Sequence, residues 1–180
     1  RKGVKWNNGD DFTADDVARN IDMWCEKAVE GNSMAARMSS LVDPDTGKAG
    51  ANAIKVVDSH TIELNCNSSD ITIIAGMADY PAAVVHSSFD PATMASGSVG
   101  TGPFVLESHE VGVKSVSVKN EGFDWWGYAA GRECPLDRIE YIDYGTDPAA
   151  WLAAAEADEV DCFYENVGEY VDVMEGIGWE

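Results

Sequence analysis

The sequence predicts an α/β fold with mixed sheets, flanking helices and β-hairpins, on three observations. A capped amphipathic helix follows the first short strand, two alternating segments fold back on themselves as hairpins, and a strand-helix-strand run lies near the end. With 180 residues, 45% of them apolar, the chain can bury one sizeable core or two small ones.

Val4 and Trp6 alternate with Lys5, the period of a half-buried strand, and Asn8-Gly9 supplies the residues of a tight turn. Thr13 and Asp16 stand in the N-cap and N3 relation of a capping box, with Phe12 and Val17 at the positions of a hydrophobic staple. The helix they start is predicted over 14–29. Val17, Ile21, Trp24, Cys25 and Ala28 form its apolar face, and Gly31 is placed to end it. Asp15, Asp16, Asp22 and Glu26 face water, the first two also suiting the positive end of the helix dipole. A second helical segment over 34–41 leads into the polar turn Asp43-Pro44-Asp45-Thr46-Gly47.

Two apolar-polar alternations, 54–57 and 61–64, flank Asp58-Ser59-His60 and predict a hairpin. Residues 71–78 read as a helix with Ile71, Ile74, Ala75 and Ala78 on one face, and 82–86 as a short strand. Gly97-Ser98-Val99-Gly100-Thr101-Gly102-Pro103 has the most flexible composition in the chain. It marks a crossing between two units, 1–97 and 98–180. Beyond it, 104–110 and 114–120 form a second hairpin, in which Val113, Ser115, Ser117 and Lys119 oppose Lys114, Val116 and Val118. Residues 138–144 and 160–164 read as strands around a helix that starts at Asp147-Pro148. A crossover of about a dozen residues implies a parallel pair. A last helix is expected over 168–175.

The charge is extreme, with 32 acidic residues against 12 basic ones and a formal net charge of −20. Such a surface repels phosphate backbones, so nucleic acid is a poor partner. The acids are spread along the whole chain, which favours solvation in a salty medium over a local site for cations. No run approaches the eighteen or so apolar residues of a membrane-spanning helix.

Cys25, Cys66, Cys134 and Cys162 are too dispersed for a zinc site, and a free, buried thiol is favoured for each over any of the three pairings. His60, His86 and His109 read as surface histidines, and no metal or other cofactor is expected. No nucleophile elbow, zinc helix, phosphate loop or dinucleotide fingerprint occurs, so an enzyme is disfavoured.

The stretch from Arg1 to Val17 resembles the "R-x-G-V-K-[FW]-x-[DN]-G-x-x-[FL]-T-A-[ED]-D-V" block of the extracytoplasmic solute-binding proteins of ABC transporters, in the family that binds peptides and nickel. Val56-Val57-Asp58 with Thr61-Ile62-Glu63-Leu64 is similar to the hairpin of that family, and Gly100-Thr101-Gly102-Pro103-Phe104 to its "G-T-G-P-[YF]" signature. Asn120 with Trp126-Gly127 resembles its "N-x-x-Y-W-G" piece, although Trp125 replaces the tyrosine and the spacing is longer. Pro135-Leu136-Asp137-Arg138-Ile139, Asp147-Pro148 and Glu159-Val160-Asp161 are similar to further pieces in the same order, with Asp158 in place of a glycine.

The resemblance implies part of a two-lobed periplasmic-binding-protein-like fold. Residues 1–97 would be the later part of a small insert domain and 98–180 the core of the first lobe, with the opposing lobe outside this chain. Because the chain opens without Met or a leader, it is read as an internal portion of a longer protein.

The implied function is capture of an oligopeptide, a dipeptide or a similar small solute in the periplasm or at the cell surface, without chemistry. Delivery is to an ABC permease, and membrane contact comes only through that permease or a lipid anchor. The alternative is a sensory or interaction module that reuses the fold without transport. In the family the segment after the 71–78 helix helps line the cleft. Here it offers Asp79 and Tyr80, suited to a cationic or amide-rich ligand, and none of the arginines that hold a nickel chelate. Met34 and Arg37 are candidates by the same logic. Gly100, Thr101 and Gly102 suit either a connector near ligand or a crossover that never touches it.

Overall fold

A computed structural model describes residues 1–97, 99–163 and 168–179. Its first element is a closed turn. Trp6 N donates to the Asp10 carbonyl and Gly9 N to the Trp6 carbonyl, both at 2.9 Å, so the predicted strand shrinks to one bridge between Lys5 and Asp11. Trp6 itself is 1% exposed and meets Phe12 and His86 edge-on, at 5.2 and 5.0 Å between centroids.

The capping box forms as the spacing predicts, with Thr13 N donating to Asp16 Oδ2 at 2.9 Å. The indole of Trp6 donates to the same oxygen at 3.4 Å, joining the cap to the core. Helix α1 (Ala14–Trp24) stops five residues short of the expected end. The side-chain amide of Asn32 donates to the carbonyls of Met23, Trp24 and Glu26, taking the acceptors that a longer helix would use. Gly31 lies outside the helix, in a turn at φ +78°.

Helix α2 (Met34–Arg37) passes into a 3-10 turn at Ser39–Leu41, and together they replace the single expected segment. Hairpin strands β1 (Ile54–Asp58) and β2 (Thr61–Leu64) pair antiparallel and lie against α1. Ile21, Cys25, Met34, Met38, Leu41, Val42, Ala53 and Ile73 make one buried cluster, all of it before residue 97.

Helix α3 (Ile73–Met77) presents the opposite face from the one expected. Ile73 is buried and Met77 packs on the cluster, whereas Ile71 and Ile74 are 97% and 70% exposed. Asp70 sets that phase by accepting from both Thr72 N and Thr72 Oγ1.

Residues 82–86 form no strand. Ala82 ends a 3-10 turn (Tyr80–Ala82), and the backbone of Val85 pairs with a side chain. Asn20, 1% exposed, donates to the Val85 carbonyl and accepts from Val85 N, each at 2.9 Å. His86 is buried rather than at the surface, with Nε2 3.1 Å from Asp10 Oδ2 and Nδ1 2.8 Å from Ser88 Oγ.

Strands β3 (Phe104–Glu110), β4 (Lys114–Lys119) and β5 (Arg138–Ile142) form an antiparallel sheet in that order. Between β4 and β5 comes the single turn of helix α4 (Trp126–Ala129). Among the described residues the expected parallel pair is not formed. β5 lies on β4, residues 160–163 are not strand, and residue 164 falls outside the described residues. Phe163 turns instead to Trp151 and Trp179, at 5.9 and 5.2 Å.

Helix α5 (Pro148–Glu156) starts where Asp147-Pro148 predicts, capped by Asp147 accepting from Ala149 N at 3.0 Å. The last helix, α6 (Glu169–Gly176), packs beside it through Tyr170 on Trp151. All four thiols are free. Burial and the neighbouring Asp22 push the Cys25 thiol up to about 11, whereas Cys66 and Cys162 are exposed rather than buried. Among the described residues no helix is long and apolar enough to cross a membrane.

Candidate ligand-binding site

Two of the seven residues singled out from sequence meet directly. Arg37, at the end of α2, donates to Asp79 Oδ2 at 2.6 Å, with the two side chains 34% and 43% exposed. Gly76 allows that reach, since a Cβ there would stand 3.2 Å from Arg37 Cβ. The other Asp79 oxygen accepts from Tyr80 N at 2.8 Å and caps the 3-10 turn. The carboxylate therefore faces solvent already paired, and the pair offers a cation and an anion side by side. Tyr80 stands beside it 88% exposed, and Met34 lies inside the core at 2%.

Gly100, Thr101 and Gly102 form a second place, held from two sides. The Gly100 carbonyl accepts from Asn7 N at 2.8 Å and the Thr101 carbonyl from Trp126 Nε1 at 3.1 Å. Asn120 N donates to the Pro103 carbonyl at 2.8 Å. Neither Gly100 nor Gly102 has a positive φ; among the described residues of this segment only Gly97 does, at +102°. A Cβ on Gly100 or Gly102 would meet nothing within 4 Å, so both present bare backbone to open space. Among the described residues no hydrogen bond or ion pair joins this segment to the Arg37–Asp79 pair.

Trp126 also carries the Arg1 guanidinium over its ring at 4.8 Å. The ring of Trp125 lies across Gly127, where any Cβ would collide with it. That contact gives the Trp-Gly pair a steric reason.

One feature escaped the sequence. A cleft of about 280 Å³ opens between the 3-10 turn Pro91–Ser96 and β3, with Gly97 and Val99 in its wall. Its only local signal is Asp90-Pro91, the same Asp-Pro start that marks α5.

Comparison with known proteins agrees with this architecture. A family model described as "Bacterial extracellular solute-binding proteins, family 5 Middle" matches residues 1–175. A probable ABC transporter-binding protein of Deinococcus radiodurans is 27% identical over 183 aligned residues, covering 91% of this chain and 29% of the relative. The murein tripeptide binding protein of Escherichia coli superposes with a TM-score of 0.70 at 21% identity, over 89% of this chain and 32% of that one. A nickel ABC transporter structure from Bacillus halodurans gives 0.67 at 20%, over 97% and 32%. The chain thus spans about a third or less of the length of these relatives. With the N-terminal block, both hairpins and the Gly-Thr-Gly-Pro crossing in one order, the chain belongs to the family 5 bacterial extracellular solute-binding proteins.

Proposed function

We propose that this protein is the substrate-binding component of an ABC importer that captures an oligopeptide, a dipeptide or a similar small solute and hands it to a membrane permease. The observation that carries the reading is the family match over residues 1–175. The oligopeptide and murein-tripeptide binding proteins among the structural neighbours support peptides as the solute class. In this reading residues 1–97 belong to a small insert domain and 98–180 to the core of the first lobe, facing a lobe formed by other parts of the protein.

The proposed contacts are Arg37, Asp79 and Tyr80 on one element cluster and Gly100, Thr101 and Gly102 on the crossing, with Met34 supporting Arg37 from the core. A zwitterionic peptide suits a paired guanidinium and carboxylate, since each can take one end of a dipolar ligand. Bare glycine backbone lets a peptide approach closely. Capture requires no bond to break. Ligand that prefers the closed form shifts the population toward it, and the closed complex is what the permease meets.

Native mass spectrometry of the full-length protein, purified with its endogenous ligand, tests this. A co-purified peptide is the expected result. A persistently empty protein, or one holding a metal chelate, overturns it.

A further inference from the structure

The 280 Å³ cleft shares no residue with the proposed peptide contacts, and its chemistry differs from theirs. Phe89, Met94, Val105 and Leu106 give it apolar walls, and Asn7 and Asp90 are among its polar lining. Asp90 Oδ1 accepts from Ala92 N at 2.9 Å and caps the 3-10 turn. Among the described residues Asp90 Oδ2 accepts no hydrogen bond, and the Asn7 side chain makes none.

Among the described residues no lysine, arginine or histidine lines the cleft, so an anionic ligand would find no opposite charge there. The net charge of −20 raises the concentration of cations at the surface instead. Apolar walls under a half-used carboxylate suit a molecule with one cationic end and one greasy end. The volume lies at the lower edge of the roughly 300–1,000 Å³ typical of ligand pockets, enough for one bulky side chain and too little for a peptide.

We propose that this cleft is a site for small organic ammonium ions, a primary amine on an aliphatic or aryl group. The ammonium donates to Asp90 Oδ2 and to the Asn7 side-chain carbonyl. The apolar part lies on Phe89, Met94 and Leu106. Because the two surfaces share no residue, an empty peptide site leaves this inference standing, and failure here leaves peptide capture standing.

Titration of the full-length protein with 2-phenylethylamine, 2-phenylethanol and phenylacetate, followed by calorimetry or NMR shifts, tests it. The amine is expected to bind about tenfold more tightly than the alcohol, the worth of one charge-assisted contact, and the carboxylate not at all. Asp90→Asn keeps a capping side chain. It should erase the amine's advantage while leaving alcohol binding unchanged, which also shows that the variant is folded. Thr93→Phe, placed to fill the cleft, should abolish both. Equal binding of amine and carboxylate, an amine affinity untouched by both substitutions, or no amine binding at 10 mM overturns the proposal.

Discussion

Asn20 does with a side chain what a neighbouring strand would do with its backbone. Its carboxamide serves both the N–H and the C=O of Val85, and it also donates to the Asp16 carbonyl at 2.8 Å. Asn20→Ala removes those partners from a site that is 1% exposed, at a cost of roughly 2–4 kcal/mol. Denaturant unfolding of the full-length protein should show that loss in the midpoint with an unchanged slope, and a loss under about 0.5 kcal/mol would contradict the role. Nothing around position 20 announces it, because the partner lies 65 residues away. Thr13 and Asp16, by contrast, are legible from spacing alone, since a capping box is complete within four residues. The burial of His86 is hidden from the sequence for the same reason as the role of Asn20. Its companions Trp6 and Asp10 are neighbours in the fold but lie far away in the sequence, Asp10 by 76 residues.

On the second sheet, register is reinforced by charge. Arg138 donates to Glu140 at 2.7 Å and to Glu107 at 2.6 Å, and Lys114 donates to Glu140 at 3.0 Å. The Arg138 hydrogen bond, then that of Lys114, holds the Glu140 carboxyl below its ordinary 4.5. A carboxyl lowered by folding stabilises the fold above its unfolded value, and that contribution fades as pH falls from 4.5 through the folded value. A carboxyl NMR titration should place the Glu140 midpoint under 4.5 and find it raised in Arg138→Gln; a midpoint indifferent to that substitution would exclude the network as the cause.

Hairpins and the start of α5 were legible because alternation and an Asp-Pro cap are local signals. The phase of α3 was not, because Ile71, Ile73, Ile74 and Met77 are all apolar and Asp70 decides which of them turn inward. The parallel strand failed on partner choice. β5 offers Glu140 to Lys114 of β4 at 3.0 Å, whereas the charge carried by 160–163 is the single carboxylate of Asp161. Of the candidate site, the Arg37–Asp79 meeting and the cleft at Asp90 both depend on elements closing over long separations, which spacing does not encode.

For the molecule as a whole, the excess of acids is the dominant electrostatic fact. With 32 acidic residues and 12 basic ones, most carboxylates have no cationic neighbour available, and their mutual repulsion opposes the compact state. Screening shortens that repulsion to a few ångströms at molar salt. Raising KCl from 0.1 to 2 M should lift the thermal midpoint of the full-length protein by about 1–2 °C, as expected if screening is worth 1–2 kcal/mol in a protein roughly three times this length. A flat or falling midpoint would show that the acids are not under strain.

The crossing has a mechanical meaning as well. Its glycine-rich composition suggests a loose joint, yet two carbonyls are bolted in place, one by Asn7 and one by Trp126. Force applied to the N-terminal turn reaches the α4 indole through two consecutive peptide units, with no slack segment between. Such a joint behaves as a rivet, and bending at Gly100 or Thr101 has to stretch one of these two hydrogen bonds.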